Sequence, residues 1–548
     1  MNSFAVGIPI IIGVTGHRDI RETDEPKIRE LVYAELSKLK SKYSHSPFIM
    51  LNSLAQGSDM LCAEIALELG ISLQCPLPLP LAEYRQDFTG EILTKFDELI
   101  NKADSYFVVE DLEPRNSLSN RDYHYRQAGI YLTEHSQILF SLWDGSKAKK
   151  DGCGTPEIVD IMLKGRPDSS SIFKASNDGA VIQIVTPRNS NKQAIEIKVN
   201  LIENESGSLM ECLKATNQFN KDLKELNIDL KNEAIMPLNE ENDPRLSSIN
   251  YYHQVSNQLS LIFQKKYLTA MRRFAIFAVM LVLSFLLYDE LECNFFLPVY
   301  GGIILVYGLI LLLVKRRNYH QKYLHYRLLS EALRIQFYLN ALNLSENIGD
   351  YFTWTQKKDT VWIKEAISAL LIGEKKTNYF SLDTIKNSWV NGQYEYHEKA
   401  LKRDLKKGSV NQIIALTMLS CSLLLFVTVL CLEFFFPKIM ETSIFTNPLP
   451  SFLLQHAGQQ FTIRSFFKIC LGTISAITLF TSNYYGKLSF ERKASDHQKM
   501  MNLYHQADNE FEQSDYNSRL FLNLAKEEMI ENGEWFSYCR ENKPTLNL

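Results

Sequence analysis

The sequence predicts an N-terminal α/β domain with a parallel β-sheet, followed by an all-α membrane region with four transmembrane helices in two hairpins. Between residues 8 and 190, short apolar runs typical of buried strands alternate with helical patterns, and such alternation is typical of a parallel sheet covered by helices on both faces. Beyond residue 250 the chain contains long apolar runs, of which two reach the roughly 20 residues that cross a hydrocarbon core.

The α/β prediction depends on apolar runs that are short enough to be strands and are separated by helical periodicity. The predicted strands are Ile8–Val14, Phe48–Leu51, Ser72–Leu77, Ser105–Val109, Gln137–Leu142 and Ala180–Val185. The predicted helices between them are Glu25–Lys42, Ser58–Leu69, Glu91–Ala103, Arg121–His135 and Thr155–Lys164.

The predicted spans are Phe274–Tyr288, Phe295–Val314, Asn411–Phe436 and Phe466–Tyr484. The alternative for each is a buried helix of a soluble domain. Only a short acidic segment separates the first two, and a hairpin that is apolar on all sides has no place in a soluble fold. The carboxylates of that segment, Asp289, Glu290 and Glu292, are expected to lie in a solvated turn rather than a metal site.

Basic residues flank both hairpins on one side, so the positive-inside rule predicts a multi-pass protein with both termini in the cytoplasm. The predicted division is residues 1–190, a ligand-sensing domain; 191–250, a coupling segment; and 251–380 and 381–548, two membrane units.

The net charge is −4, which does not indicate nucleic acid as a partner. The nine cysteines form no C-x-x-C pair, so no metal is expected.

Small residues follow three of the predicted strands, where ligands of parallel sheets bind. Backbone amides at glycine turns and helix N-termini favour anions such as phosphate. The alternative is that tight strand-to-helix turns use glycine for conformational reasons alone. The candidate ligand-binding residues are Thr15, Gly16, His17, Arg18, Ala55, Gly57, Ser58, Asp59, Asp144, Gly145, Gly152, Gly154, Thr155 and Glu157.

Several of these side chains have two interpretations. Arg18 offers a planar charged group that suits phosphate. His17 contacts a ligand or is a loop residue bonded to backbone. Asp59 meets a ribose hydroxyl or caps the helix that starts near Ser58, and Asp144 has the same ambiguity.

The segments Gly13–Arg18, Leu54–Asp59, Asp144–Gly145 and Gly152–Thr155 together resemble the SLOG superfamily, which includes the DprA/Smf and LOG nucleotide-handling proteins. The segment Leu77–Phe88 resembles versions of this domain that are fused to membrane segments. The resemblance implies a Rossmann-like fold that binds nucleotides or signals derived from them.

A second resemblance concerns the membrane half, where Tyr326–Gln336 and Glu528–Trp535 look like parts of a SLATT-type two-helix membrane effector. Proteins of this class act in bacterial conflict systems. The resemblance implies an effector that permeabilises the bacterial inner membrane in anti-phage defence after a nucleotide-derived second messenger binds, and no cofactor is expected. The long amphipathic helices predicted at Lys322–Ala341 and Ser489–Ala525 suit subunit packing, so a homo-oligomer is expected.

Two rival functions remain open. LOG enzymes have a catalytic glutamate three residues after the threonine of their glycine loop, and this position holds Ile158, with Glu157 one residue early. One residue rotates a side chain by about 100° around a helix, so a sensor is favoured over a nucleotide hydrolase or glycosidase that uses Glu157. A non-catalytic membrane scaffold is the other alternative.

In the fourth span, Gly472, Ser475, Thr478 and Ser482 fall near one helical face, and helix packing is favoured there over a pore lining.

Overall fold

The structure is a computed structural model, and its described residues fall into two compact units. The first unit comprises residues 1–259, 327–380 and 518–534, and the second comprises 260–326, 381–517 and 535–548. The division predicted at residues 190, 250 and 380 stays a prediction. The described residues are 7–110, 120–147, 154–166, 179–190, 195–203, 208–226, 228, 230, 234–238, 243–291, 295–351, 354–377, 380–444, 461–488, 490–513 and 518–541.

The first unit contains a seven-stranded sheet in the order β4-β3-β2-β1-β5-β6-β7. All neighbouring strands run parallel except β6 and β7, which are antiparallel. The predicted parallel α/β fold is thereby confirmed, and the strand order is that of a Rossmann-like sheet. The strands are β1 Ile10–Gly16, β2 Phe48–Leu51, β3 Ser72–Leu77, β4 Ser105–Val108, β5 Ile138–Trp143, β6 Ala180–Val185 and β7 Val199–Glu203.

The helices of the α/β fold mostly follow the predicted pattern. Those up to residue 225 are α1 Glu25–Lys42, α2 Ser58–Glu68, α3 Leu81–Tyr84, α4 Gly90–Lys102, α5 Asn120–His135, α6 Thr155–Lys164 and α7 Leu209–Glu225. The later helices are α8 Pro244–Leu291, α9 Phe296–Arg317, α10 Tyr319–Ala341, α11 Trp354–Leu370, α12 Leu382–Lys386, α13 Gly392–Phe435, α14 Pro437–Met440, α15 Ile463–Leu488, α16 Phe490–Gln513 and α17 Ser518–Glu541.

Both faces of the sheet are buried, as the first strand shows. Successive side chains of a strand point to opposite faces of the sheet. Ile10, Ile12 and Val14 of β1 lie in the core cluster that includes residues of α1 and α2. Ile11 points the other way, into a cluster with Tyr131 of α5 and other residues. This two-sided burial explains why the strands read as continuous apolar runs.

The first strand begins and ends two residues later than predicted. Ile8 is fully buried but pairs with a side chain: its N–H donates to Asn220 Oδ1 and its carbonyl accepts from Asn220 Nδ2, both at 2.8 Å. At the other end, pairing with β5 continues to Gly16 opposite Leu142. Thr15 and Gly16 were predicted in a loop and are instead the last two residues of β1.

The edge strand β7 was not predicted, since Ala180–Val185 was expected to be the last strand. Val199 pairs with Ile184, and Glu203 pairs with Ala180. The sequence has an alternating stretch at Ala194–Leu201, and its last three residues belong to this strand, whose side chains are only partly buried or exposed. A half-exposed edge strand lacks the apolar run by which the inner strands are recognised.

Four helices in the described part of the chain are long and apolar enough to cross a membrane: Pro244–Leu291, Phe296–Ala341, Leu382–Phe435 and Ile463–Ser482. Each contains one predicted span, apart from at most two residues at an end of that span, and the predicted four-helix membrane region is confirmed at this level. Their apolar stretches are largely exposed, with Leu305, Leu424 and Phe434 among the most exposed side chains. Exposed apolar helices of this length suit contact with lipid, so the chain is a membrane protein.

The fourth span contacts both the first and the third within the second unit. A Cβ on Gly472 of α15 would lie 2.7 Å from Leu286 Cδ1 of α8. On α13, Ser422 Oγ lies 3.5 Å from Thr478 Oγ1. Small and hydroxyl residues thus serve close packing at these two positions.

The acidic segment after the first span does not begin as the expected turn. Asp289 and Glu290 are still part of α8. Glu290 Oε1 forms an ion pair at 3.0 Å with Lys468 Nζ of α15, and the Glu290 side chain is mostly buried. Glu292 lies outside the described residues. The expectation of a solvated turn is therefore wrong for Glu290, because a basic partner on the fourth span compensates its charge.

Replacing Gly472 with valine is expected to destabilise the membrane region by about 1–3 kcal/mol, since the added methyl groups overpack the contact with Leu286. Gly308→Val on α9 is the matched control, because a Cβ at Gly308 meets no described residue within 4 Å. The measurement is the thermal unfolding midpoint of the full chain in detergent micelles. Equal midpoints for the two variants would contradict the close contact.

Candidate functional site

The candidate site lies at the point where the strand order reverses. β1 has β2 on one side and β5 on the other, and a crevice forms outside the carboxyl ends of strands at such a switch point. The residues that follow these ends are His17 and Arg18 after β1 and Asp144 after β5. Parallel pairing puts them at one edge of the sheet.

His17 and Asp144 join the two sides of the switch point. The His17 side chain is buried, and its Nε2 lies 3.1 Å from the Asp144 amide nitrogen and 3.2 Å from Asp144 Oδ1. Burial lowers the pKa of His17, and nearby Arg188 lowers it further, although Asp144 opposes both. The imidazole is therefore neutral at pH 7, and its Nε2 accepts the Asp144 N–H.

Asp144 is fixed from its other side by Ser146, whose amide donates to Asp144 Oδ1 at 3.0 Å. Burial alone raises the pKa of Asp144, but hydrogen bonds from the Ser146 side chain and amide outweigh it and hold the pKa well below its usual value. The turn also contains Gly145, which has a positive φ of 85° and is exposed. Asp144 is thus an ionised carboxylate that organises the turn.

Two of the candidate glycines are explained by contact between the first two loops. A Cβ on Gly16 would lie 2.4 Å from Ser58 Cβ, and a Cβ on Gly57 would lie 2.5 Å from the Arg18 carbonyl oxygen. Ser58 donates to the His17 carbonyl from both its hydroxyl (2.8 Å) and its amide (3.1 Å). Glycine at 16 and 57 therefore permits close packing of protein on protein, which the sequence had left open as an alternative to phosphate contact.

Asp59 is buried beneath the second loop. Its carboxylate accepts from the Ala55 amide at 3.4 Å, and its carbonyl accepts from Asn52 Nδ2 at 2.8 Å. Burial raises the pKa of Asp59 to about 7, while the Ala55 amide and the charge of Arg18 act in the opposite direction. The carboxyl group is thus protonated far more readily than that of an exposed aspartate, and it holds the loop in front of α2 rather than capping the helix.

Arg18 is the candidate side chain most open to solvent. It is exposed, and its guanidinium carbon lies 5.2 Å from the centroid of the Tyr125 ring on α5. Among the described residues it forms no ion pair. A cation held over an aromatic ring at the carboxyl edge of the sheet is available to an anionic ligand.

The N-terminus of α6 faces the end of β1. Thr155, the first residue of α6, is buried, and its Oγ1 lies 3.5 Å from Thr15 Oγ1. Next to it, a Cβ on Gly154 would meet only Pro156 Cδ, at 3.8 Å, among the described residues. Within the described part of the chain, Gly154 is thus less crowded than Gly16 and Gly57. Gly152 lies outside the described residues.

Glu157 is already engaged by a protein partner. Its Oε1 accepts from Arg126 Nε of α5 at 2.7 Å, and the Arg126 side chain is nearly buried. The neighbouring Ile158, at the position of the LOG glutamate, is buried against Gly129, where an added Cβ would lie 2.3 Å from Ile158 Cδ1. The position that would carry a catalytic carboxylate is thus a core residue.

The sequence missed a set of contacts that tie the first loop to the end of β6. Asp19 Oδ1 accepts from Arg188 Nε at 2.8 Å, and Asp19 Oδ2 accepts from Ser190 Oγ at 2.6 Å. Arg21 Nε donates to the Arg188 carbonyl at 2.9 Å. No motif marks these residues, because they are some 170 positions apart in the chain. Within the described residues, no group of His, Cys, Asp and Glu is arranged to hold a metal ion.

No protein-family model matches the chain, and no curated protein matches it.

Proposed function

We propose that the α/β domain binds an anionic, nucleotide-derived signal at the switch point and that binding opens or assembles the membrane helices. The observation that carries the proposal is the set of groups at one sheet edge: exposed Arg18, the uncrowded N-terminus of α6 at Gly154, and the organised Asp144 turn. Arg18 supplies charge, and the helix N-terminus supplies amide donors. The same chain carries four candidate spans.

Helix α5 offers a route from the site to the rest of the first unit. Near its N-terminus, Tyr125 lies under Arg18 and Arg126 pairs with Glu157. Near its C-terminus, the Tyr131 hydroxyl accepts from the Gly373 amide at 3.2 Å, and His135 Nδ1 lies 2.9 Å from the Ser368 carbonyl. Burial lowers the pKa of His135, so the ring is neutral and donates this bond. A shift of α5 on ligand binding would therefore displace its hydrogen-bond partner Ser368 on α11.

Gating requires that the ligand bind one membrane state more tightly than the other. On this proposal the open state is a homo-oligomer in the bacterial inner membrane, both termini are cytoplasmic, and permeabilisation serves anti-phage defence. The ion pair between Arg126 and the partly buried Glu157, together with the core position of Ile158, favours sensing over hydrolysis at this site.

Reconstituted full-length protein is expected to release a trapped dye from liposomes when a nucleotide from a panel of mono-, di- and cyclic nucleotides is added. Arg18→Ala should weaken binding of that nucleotide by about 10- to 100-fold, since it removes a charged hydrogen-bond donor. Leakage should lose its response over the same concentration range.

Lys27→Ala is the matched control, because Lys27 is exposed on α1 and forms no ion pair with a described residue. It should leak like the unmodified protein. The absence of binding by every nucleotide, measured by calorimetry, would overturn the sensing proposal. Turnover that Glu157→Gln abolishes would support the enzymatic alternative instead.

A further inference from the structure

Three cations gather where the second hairpin joins its flanking helices, and we call Lys407, Arg492 and Lys493 the juxtamembrane cation cluster. Lys407 Nζ of α13 and Lys493 Nζ of α16 lie 5.9 Å and 5.4 Å from the centroid of the same ring, that of Phe490. The Arg492 guanidinium carbon lies 3.8 Å from the Tyr538 ring centroid of α17. The Phe490 ring thus holds the two lysines near each other, and the Tyr538 ring holds Arg492, the chain neighbour of Lys493.

Two carboxylates near the cluster are each shared between basic groups. Asp496 Oδ2 lies 3.9 Å from Arg492 Nε, and Asp496 Oδ1 lies 3.9 Å from Lys499 Nζ. Asp404 is buried, accepts from Arg403 Nε at 3.0 Å and lies 3.7 Å from His497 Nε2. Lys407 and Lys493 form no ion pair with any described residue. The cluster therefore has an excess of positive charge that the described part of the chain does not neutralise.

Lys493 is partly buried, so one of the uncompensated charges of the cluster is partly removed from water. Burial lowers its pKa, and the charges of Lys407 and Arg403 lower it further, while Cys539 and Asp404 act in the opposite direction. An anion placed between Lys407 and Lys493 would offset the cost of burying the Lys493 charge and would reduce the repulsion between the two ammonium groups.

The cluster also lies at the end of the predicted bilayer crossing. On α13, Val410 and Ile413 are exposed apolar residues that begin less than two turns after Lys407. On the other side of the hairpin, the candidate span of α15 reaches Ser482, and α16 with Arg492 and Lys493 follows. This is the level at which lipid phosphates meet a spanning helix.

We propose that the juxtamembrane cation cluster binds the phosphate of an anionic phospholipid. Two ammonium groups and a guanidinium supply charged donors to phosphate oxygens. The apolar ring of Phe490 and the amphipathic ring of Tyr538 suit the interface between headgroup and acyl chain. The site is independent of the nucleotide site, since it lies wholly in the second unit.

The test uses full-length protein in neutral detergent, titrated separately with phosphatidylglycerol, phosphatidylcholine and inorganic phosphate. Phosphatidylglycerol should raise the thermal midpoint in a concentration-dependent manner, because a ligand that binds the folded state stabilises it. The double variant Lys407→Gln/Lys493→Gln should bind this lipid roughly thirtyfold more weakly, from the usual contribution of each lysine near an anionic surface.

Lys399→Gln/Lys402→Gln is the matched control, since it removes two exposed lysines of α13 whose ion-pair partners are Glu395 and Glu398. It should keep the full lipid response. An equal loss in both double variants would overturn the site, as would an equal midpoint shift with phosphatidylcholine. An equal shift with inorganic phosphate would overturn its assignment to lipid.

Discussion

Glu528→Gln is expected to destabilise the first unit by about 3 kcal/mol, the cost of breaking a buried ion pair from one side. Glu528 of α17 is almost completely buried, and its Oε2 accepts from Arg334 Nη2 of α10 at 3.0 Å. Arg334 also donates to Glu331 at 3.0 Å, and this second partner keeps the expected cost at the lower end of the usual range. The effect is large because a neutral amide leaves the guanidinium charge undercompensated away from water.

The ion pair between Glu528 and Arg334 belongs to a larger network, so its loss is expected to affect several helices. Glu331 accepts from Arg327 Nη2 at 2.6 Å. Burial raises the pKa of Glu331, but Arg327 and Arg334 outweigh it and lower the pKa to about 2. On α8, His253 Nδ1 lies 2.9 Å from the Ser330 carbonyl oxygen. Three helices that are far apart in sequence therefore share one set of buried polar contacts.

The adjacent residue supplies the control for this prediction. Glu527 is exposed and has no ion pair with a described residue, so Glu527→Gln should change stability by less than about 0.5 kcal/mol. The readouts are the thermal midpoint of the full chain in detergent and the rate of tryptic cleavage within α17. If both variants behaved alike, the buried pair would not hold α17 in place.

Local signals predicted most of the α/β fold, because each inner strand carries its own apolar run and each helix its own periodicity. The antiparallel edge strand Val199–Glu203 was missed, since its side chains face solvent in part. The two segments that resemble a membrane effector contain Arg334 and Glu528, but their pairing depends on a contact across 194 positions. Sequence spacing carries no information about such a contact.

The candidate site shows the same division between local and tertiary information. Its location was predictable, because parallel strands bring their carboxyl ends to one edge. The roles of individual residues were not: His17 bonds the Asp144 amide, and Glu157 is engaged by Arg126. Glycine in a loop indicates either a close ligand or a close protein backbone, and only the tertiary contacts distinguish the two.

Gly57→Ala is expected to destabilise the first unit by about 3 kcal/mol or more, through two effects that add. The residue has a φ of 87° and a ψ of −113°, a conformation that costs an L-residue of order 1–3 kcal/mol. The new Cβ would also lie 2.5 Å from the Arg18 carbonyl oxygen and 2.8 Å from that of His17. These are backbone atoms, so relief requires that the first loop move away from the second.

Gly90→Ala separates the two effects. Gly90 also has a positive φ, of 56°, but a Cβ there meets nothing within 4 Å, so only the conformational cost of about 1–2 kcal/mol applies. The thermal midpoint of the full chain should therefore fall much further for Gly57→Ala than for Gly90→Ala. A fall of the same size in both would mean that the loops yield at little cost. Because Arg18 belongs to the loop that must move, a large fall for Gly57→Ala would also mean that the exposed cation of the candidate site is positioned by protein packing before any ligand arrives.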